Sequence, residues 1–530
     1  YQAGRDVIRA YTEQPPYAYF IPQEQHDPVA AVELLRRLAF NGVEVYQLDR
    51  EIDVDGMRHP AGTWAIPMDQ EFAHFVRQLF EVQEYPDLRE FPEGPPEQPY
   101  DVAGWTVPYQ MEVRVYEAAS PLDAEARAAM SPVRGEALPW DAEVEDAAPF
   151  DSPPGVGFDS HPVAAGIVPP AGRVTGGGPA LLLDAAQNNA FRALNRAWEA
   201  GAEVRFIPGV RGEEGEPGTS GRWAVIGLSG SAQDAIVRDL ALRAERGSAS
   251  GGQEVRRPRV GLYRPWSASI DEGWTRWLLE RYRFAFRSVR DAEIRAGALR
   301  ERYDVLVLAD MSPGQIVEGF RDGSVPPRYA GGIGEEGVRA LDAFVRAGGT
   351  LVCLNRSIEL ATERLHLPVR NVVDGLDREE FFQSGSIVEM IVDPSHPVMT
   401  GMPARAKIVV ERGPVLATDE GFEGRILAKY PADGSPLLSG YLLGEEHLQG
   451  YAAAVEAQHG EGRVLLLGMR PQWRAQPFGN FRILFNAALY TREVAEAAPD
   501  GPAFWRSPEA TAEEATAEDD TGEGRADPRG

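Results

Sequence analysis

Cysteine is almost absent. Cys353 stands alone, so the chain has no internal disulfide and no cysteine-based zinc site. Lysine is nearly missing as well, with Lys407 and Lys429 the only two among 53 basic residues. No site chemistry demands arginine at every basic position, so this reads as the codon bias of a GC-rich genome. Basic charge is short overall: 53 Lys and Arg face 81 Asp and Glu, a formal net charge of −28. A surface that acidic repels phosphate backbones and anionic lipid, which argues against nucleic acid and membrane surfaces as partners. No apolar run reaches the roughly 18 residues that a membrane-spanning helix needs. An initiator Met and a secretory leader pattern are also missing. The opening Tyr1-Gln-Ala-Gly-Arg-Asp reads as the interior of a longer protein, so a fragment or processed product is expected.

What is present is globular. Hydrophobic residues make up 43% and aromatics 9% of 530 residues, enough for several packed cores in roughly three to four domains. Composition suggests three folded blocks, two connections and a tail. Residues 1–116 form the first block and 179–243 the second. Between them, 117–178 is rich in Ala, Pro, Gly and acid and reads as a long connection. A Gly/Ser-rich stretch over 244–256 reads as a linker, 257–495 as the third block, and the acidic end, 496–530, as a disordered tail.

The first two blocks look like copies of one unit. Tyr17-Ala-Tyr-Phe-Ile-Pro, a helix over 29–40 and Gly42-Val-Glu-Val parallel Pro179-Ala-Leu-Leu-Leu-Asp, a helix over 189–199 and Gly201-Ala-Glu-Val. Gly42 and Gly201, and likewise Trp64 and Trp223, are 159 residues apart. Each glycine falls at a helix C′ position, where a left-handed backbone is needed before the next strand. Each unit therefore reads strand, helix, strand, turn, strand. The two units are expected to share or support each other's sheet, with Trp64 and Trp223 in equivalent positions.

The third block alternates strands and helices. Arg259–Tyr263, Tyr303–Ala309, Thr350–Leu354 and Gly462–Gly468 are continuous apolar runs, the mark of parallel strands covered on both faces. Helices are expected over 272–283, 334–347 and 481–490. The fold class is α/β, a doubly wound parallel sheet preceded by two smaller repeated α/β units.

Three patterns invite a catalytic reading and none supports it. Gly332-Ile-Gly334-Glu-Glu-Gly337 spells a dinucleotide motif, yet no strand precedes it, and two glutamates would occupy the phosphate position. Cys353 lies inside Leu351-Val-Cys-Leu354 rather than on an elbow flanked by small residues, so a buried, inert thiol is expected. His459-Gly-Glu461 reads as an exposed turn with no nucleophile to serve. The eight histidines show no zinc-ligand spacing. Catalytic and metal-ligating residues are therefore assigned to none of the chain.

In an open parallel sheet, ligands bind outside the carboxyl ends of the strands. Those ends carry Arg264, then Asp310 and Ser312, then Asn355 and Arg356, and finally Arg470. These six form the candidate ligand rim, with Asp271 and Glu272 read as capping the nearby helix.

Several long motifs carry a resemblance. Tyr17–Pro22 with the following helix, Pro60-Ala-Gly-Thr-Trp-Ala-Ile-Pro and Pro99-Tyr-Asp-Val-Ala-Gly-Trp resemble the region after the catalytic domain in large bacterial zinc carboxypeptidases of the M14 peptidase family. Tyr263-Arg-Pro-Trp, Asp271-Glu-Gly-Trp, Asp310-Met-Ser-Pro and Arg470-Pro-Gln-Trp resemble the class I glutamine-amidotransferase-like domain that ends those proteins, which implies a flavodoxin-like third block. The resemblance implies a metallopeptidase acting on peptide C-termini, periplasmic or secreted, whose zinc and catalytic groups lie upstream of this chain. It implies for this chain a non-catalytic accessory role: docking on the peptidase domain of the same protein, stabilising it, and restricting peptide access or mediating homo-oligomerisation. Two alternatives stay open: a stand-alone small-ligand binding module using the rim, and a hydrolase dependent on Cys353.

Overall fold

The computed structural model describes residues 1–143 and 156–508, positions 87, 93 and 502 excepted. The chain is α/β, with three main sheets.

The first unit begins with β1 (Ala18–Ile21), apolar and buried throughout. Helix α1 (Pro28–Phe40) starts where the Asp27 carboxylate accepts from the Val29 amide at 3.1 Å, with proline in the first turn. It stops at Asn41, and Gly42 takes φ +100° to release the chain toward β2 (Tyr46–Leu48). β3 (Trp64–Pro67), α2 (Ala73–Phe80), β4 (Tyr116–Ala118) and β5 (Met130–Pro132) follow. The sheet runs β4-β1-β3-β2-β5 and is antiparallel throughout.

The second unit holds β6 (Arg173–Gly176), β7 (Ala180–Leu183), α3 (Asn189–Glu199), β8 (Glu203–Ile207), β9 (Arg222–Ile226), α4 (Gly230–Asp239), β10 (Arg243–Gly247) and β11 (Gln253–Glu254). Its order is β6-β10-β7-β9-β8-β11. Without the extra edge strand β6, this matches the first sheet position by position. Both units are split β-α-β folds with spatial order 4-1-3-2 and a fifth strand at the far edge. The register agrees too. Trp64 sits between Ile21 and Gln47, and Trp223 between Leu183 and Phe206, each indole 1% exposed.

Composition was a poor guide to the connections. β4 and β5 overlap or fall within the stretch expected as a connection over 117–178, and β6 completes the second sheet from the same stretch. The 244–256 linker likewise supplies most of β10 and all of β11. Such Ala-, Gly- and Ser-rich segments lack strand propensity, but pairing with a neighbouring strand overrides it, most easily at a sheet edge. Residues 144–155 of that connection, and 509–530 of the expected disordered tail, lie outside the described residues. Just before the latter, Phe504 is buried and Trp505 donates to the Gly450 carbonyl at 2.7 Å, so the tail's first residues pack on the third block.

The two units do not share a sheet. Their helices contribute instead to one apolar core that includes Val32 and Leu35 of α1, Phe191 and Leu194 of α3, and Phe485 of the third block.

The third block contributes five parallel strands: β12 (Val260–Tyr263), β13 (Phe286–Val289), β14 (Val305–Leu308), β15 (Thr350–Leu354) and, late in the chain, β20 (Gly462–Leu467). Their order, β13-β12-β14-β15-β20, is 2-1-3-4-5. An antiparallel extension follows, with β19 (Ala452–His459), β18 (Gly424–Lys429), β16 (Ser386–Val392) and β17 (Arg405–Val410). Helices α5 (Ile270–Arg281) and α6 (Gly334–Arg346) cover the parallel part, and α7 (Phe481–Ala488) is buried at every position.

Candidate functional site

The carboxyl ends of β14, β15 and β20 bring four of the six rim residues together. Asn355 leaves β15 in the left-handed region, φ +53°, a strained conformation for any residue but glycine and more tolerable for asparagine. That turn aims the Arg356 amide at Asp310 Oδ1, 3.2 Å away. The Arg356 guanidinium grips the same carboxylate in a fork, Nε to Oδ1 at 2.9 Å and Nη2 to Oδ2 at 2.8 Å. Asn355 Nδ2 donates to Oδ1 at 3.1 Å. Arg470 approaches from β20, with Nη1 3.7 Å from Asp310 Oδ2 and 3.2 Å from Asp271 Oδ2. Its other nitrogen binds Glu411, to which Trp473 Nε1 also donates at 3.1 Å.

These surroundings push the carboxyls apart. Burial alone would raise Asp310, but the hydrogen bonds and charge of Arg356, with Arg470 and Asn355, hold it below the usual carboxylate range. Burial dominates at Asp271, and Asp310 and Glu411 add to it, so its carboxyl is raised although Arg470 opposes the shift. Asp271 therefore takes a proton before Asp310 on acidification.

The other two rim residues stand aside. Ser312 caps the short helix Pro313–Val317 in a reciprocal box with Gln315. The Arg264 side chain makes no hydrogen bond among the described residues; its backbone amide donates to the Val289 carbonyl at 2.8 Å and its carbonyl accepts from Arg290 at 3.2 Å. The reading of Asp271 and Glu272 as caps is also corrected. Ser269 caps α5, its hydroxyl accepting from the Glu272 amide at 3.1 Å, which frees Asp271 for Arg470. Sequence reasoning did not nominate Glu411 or Trp473. Glu411 follows β17, and only the fold-back of the antiparallel extension carries it to the strand ends.

A cavity of about 430 Å³ lies beside this network, lined by Glu359, Asn371, Arg412 and Gly413 among others. None of the six rim residues lines it. The nearest link is Gly413, where a Cβ would lie 3.4 Å from Asn355 Oδ1, an atom with no hydrogen-bond partner. Burial, with Glu363 and Asp374 nearby, raises the Glu359 carboxyl.

The remaining motifs resolve as packing. The segment before Gly332 is a single turn of 3₁₀ helix over Pro327–Tyr329, not a strand. A Cβ on Gly332 would strike the Ile316 carbonyl, so this glycine allows the close approach of two backbones. His459 is not exposed. It ends β19 at 9% exposure with Nε2 2.6 Å from Asp342, because the strand keeps its pairing up to the residue before the Gly460-Glu461 turn, where His459 stands opposite Gly462. Cys353 is fully buried and burial pushes its thiol far up. Native protein should therefore resist iodoacetamide at pH 8 over hours and react stoichiometrically in 6 M guanidinium; rapid native labelling would contradict this burial. Among the described residues, no group of three or more His, Cys, Asp or Glu is arranged to hold a metal ion. No helix among them is long and apolar enough to cross a membrane.

No known protein family and no curated protein matches the chain. Among solved structures it is similar to a β-galactosidase from Bacillus circulans sp. alkalophilus, at 14% identity over 45% of this chain and 31% of that one, with a TM-score of 0.25. An exo-β-1,4-mannosidase from Opitutaceae bacterium strain TAV5 gives 9%, 43%, 35% and 0.26. A protein described as thua-like from Bacteroides uniformis gives 12%, 46%, 94% and 0.25. The chain spans about a third of the length of the two glycosidases. Likeness at this level carries neither fold nor activity across.

Proposed function

We propose that the chain works without chemistry of its own, as the accessory region that follows the zinc domain of an M14-type carboxypeptidase and stabilises it, in the periplasm or outside the cell. The observation that carries this reading is the pairing of the strand-end charges. Asp310, Asp271 and Glu411 are taken up by Arg356 and Arg470, so none of these five charges is left as a free acid, base or nucleophile partner. The parallel order 2-1-3-4-5 supports a flavodoxin-like, amidotransferase-like third block, and the strand-centre position of Cys353 fits a version without its nucleophile elbow. Zinc belongs to the upstream domain in this reading and has no ligands here. Determining the coding sequence upstream of Tyr1 tests it. A His-x-x-Glu block with a later His and Glu is expected, and a stop codon with no such block would overturn it.

The second reading, a small-ligand module, has one observation in its favour: Asn355 Oδ1 is unpartnered, close to Gly413 on the wall of the 430 Å³ cavity. A thermal-shift screen finding a stabiliser whose effect disappears in Asn355→Ala would favour it over the first.

A further inference from the structure

A second concavity, of about 540 Å³, opens where the first unit meets the third block. It shares no residue with the strand-end network, and junctions between units are where ligand sites tend to occur. Its walls are largely apolar. Leu34 and Leu38 of α1 line it, both 1% exposed, and Phe75 of α2 reaches it at 38% exposure. From the third block come Trp274 and Trp277, half-buried rings set edge to face at 6.3 Å and 83°. Large aromatic faces left partly open at a junction offer a stacking surface for a planar ligand.

Two polar features narrow the chemistry. Gln110 lines the groove at 1% exposure. Its Nε2 donates to the Trp105 carbonyl at 2.7 Å, which sets the amide's orientation and leaves Oε1 buried without a partner. A buried acceptor in that condition calls for a donor. The charged residues on the lining are Arg37 and Arg474, and no carboxylate lines it. The Arg474 guanidinium lies 4.6 Å from the centre of the Trp473 ring, and its ion-pair partner is the exposed Asp101 at 3.5 Å with 62% of its side chain in water, a pair readily traded for another anion. Arg37 is offset by Glu33 at 3.9 Å, so in a chain of net charge −28 it is Arg474, on a lining with no acid, where an anion gains.

We propose that this groove binds a small aromatic carboxylic acid bearing an N–H donor. The ring lies against Trp274, Trp277 and Phe75, the carboxylate meets Arg474, and the N–H satisfies Gln110 Oε1. A saccharide fits less well, because its several hydroxyls would face mostly apolar walls. The proposal is independent of the accessory reading above.

Isothermal titration of the whole chain at low salt with indole-3-acetate tests it, since that probe carries ring, carboxylate and N–H together. Measurable binding is expected. Removing the carboxylate (3-methylindole) or the donor (1-methylindole-3-acetate) should each weaken it about tenfold. Arg474→Ala and Phe75→Ala, both at exposed positions, should weaken indole-3-acetate by a similar factor while leaving the melting temperature unchanged. No heat from indole-3-acetate at millimolar concentration would overturn the proposal. So would equal affinity for all three probes, or unchanged binding in both variants.

Discussion

Arg482→Met should destabilise the chain by about 3–5 kcal/mol, the usual cost of removing one partner from a buried ion pair. Arg482 is 1% exposed on the buried helix α7, and it joins parts distant in sequence. Its Nη2 donates to Glu112 Oε2 at 2.7 Å, and its Nη1 to the Gly401 carbonyl at 2.6 Å. Burial would raise the Glu112 carboxyl, but the Arg482 charge and the hydrogen bond to His26 hold it low. The methionine would leave Glu112 Oε2 and the Gly401 carbonyl without their donor, with the His26 contact at Oε1 remaining. Nearby, Asp27 accepts from the Asn188 amide at 3.0 Å, so the first unit, the second unit and the third block are tied within a few residues of one another. Urea unfolding followed by tryptophan fluorescence measures the loss. Adding Glu112→Gln should recover part of it, because the two sites are coupled. A change under about 1 kcal/mol, the range of exposed pairs, would show that the junction carries no weight.

Glu456→Leu should have an effect of similar size, with a pH dependence that identifies its source. The Glu456 carboxylate, 4% exposed, accepts from Tyr490 Oη at 2.9 Å, contacts His396 Nε2 at 2.9 Å and pairs with Arg463 Nε at 2.9 Å. Burial would raise its pKa, but hydrogen bonding to His396, the Arg463 charge and the Tyr490 hydroxyl outweigh burial and lower it. A carboxyl depressed in the folded state contributes stability above its unfolded pKa, about 4.3. That contribution falls away as pH drops through the lower folded value. The melting-temperature gap between wild type and variant should therefore be full from pH 5 to 7 and narrow below about pH 4. A gap that widens on acidification would mean that the carboxyl is not depressed.

How much of this was legible in the sequence differs from element to element. The parallel strands were readable because Val305–Leu308 and Thr350–Leu354 are continuous apolar runs, and nothing but burial on both faces explains such runs. The duplication was readable because Gly42 and Gly201 set equal distances to Trp64 and Trp223, and equal spacing preserves register. The edge strands Met130–Pro132 and Gln253–Glu254 were not, since pairing rather than local pattern makes them strands. At the strand ends, Asp310, Asn355, Arg356 and Arg470 could be nominated from topology alone. Which of their neighbours would close the network could not, because Glu411 arrives through an antiparallel fold-back with no local signal. The apolar groove was hidden for the same reason: Trp277 and Phe75 come from segments two hundred residues apart.

The burial of α7 on every side has a consequence for biosynthesis. The helices Pro28–Phe40 and Asn189–Glu199 share its apolar core, yet α7, at Phe481–Ala488, is translated long after both of them. At roughly 5–20 residues per second, the first unit waits on the order of 20 to 70 seconds before that partner surface leaves the ribosome. Through that interval its apolar faces stay open to water, and a ribosome-bound chaperone has the longest claim on them.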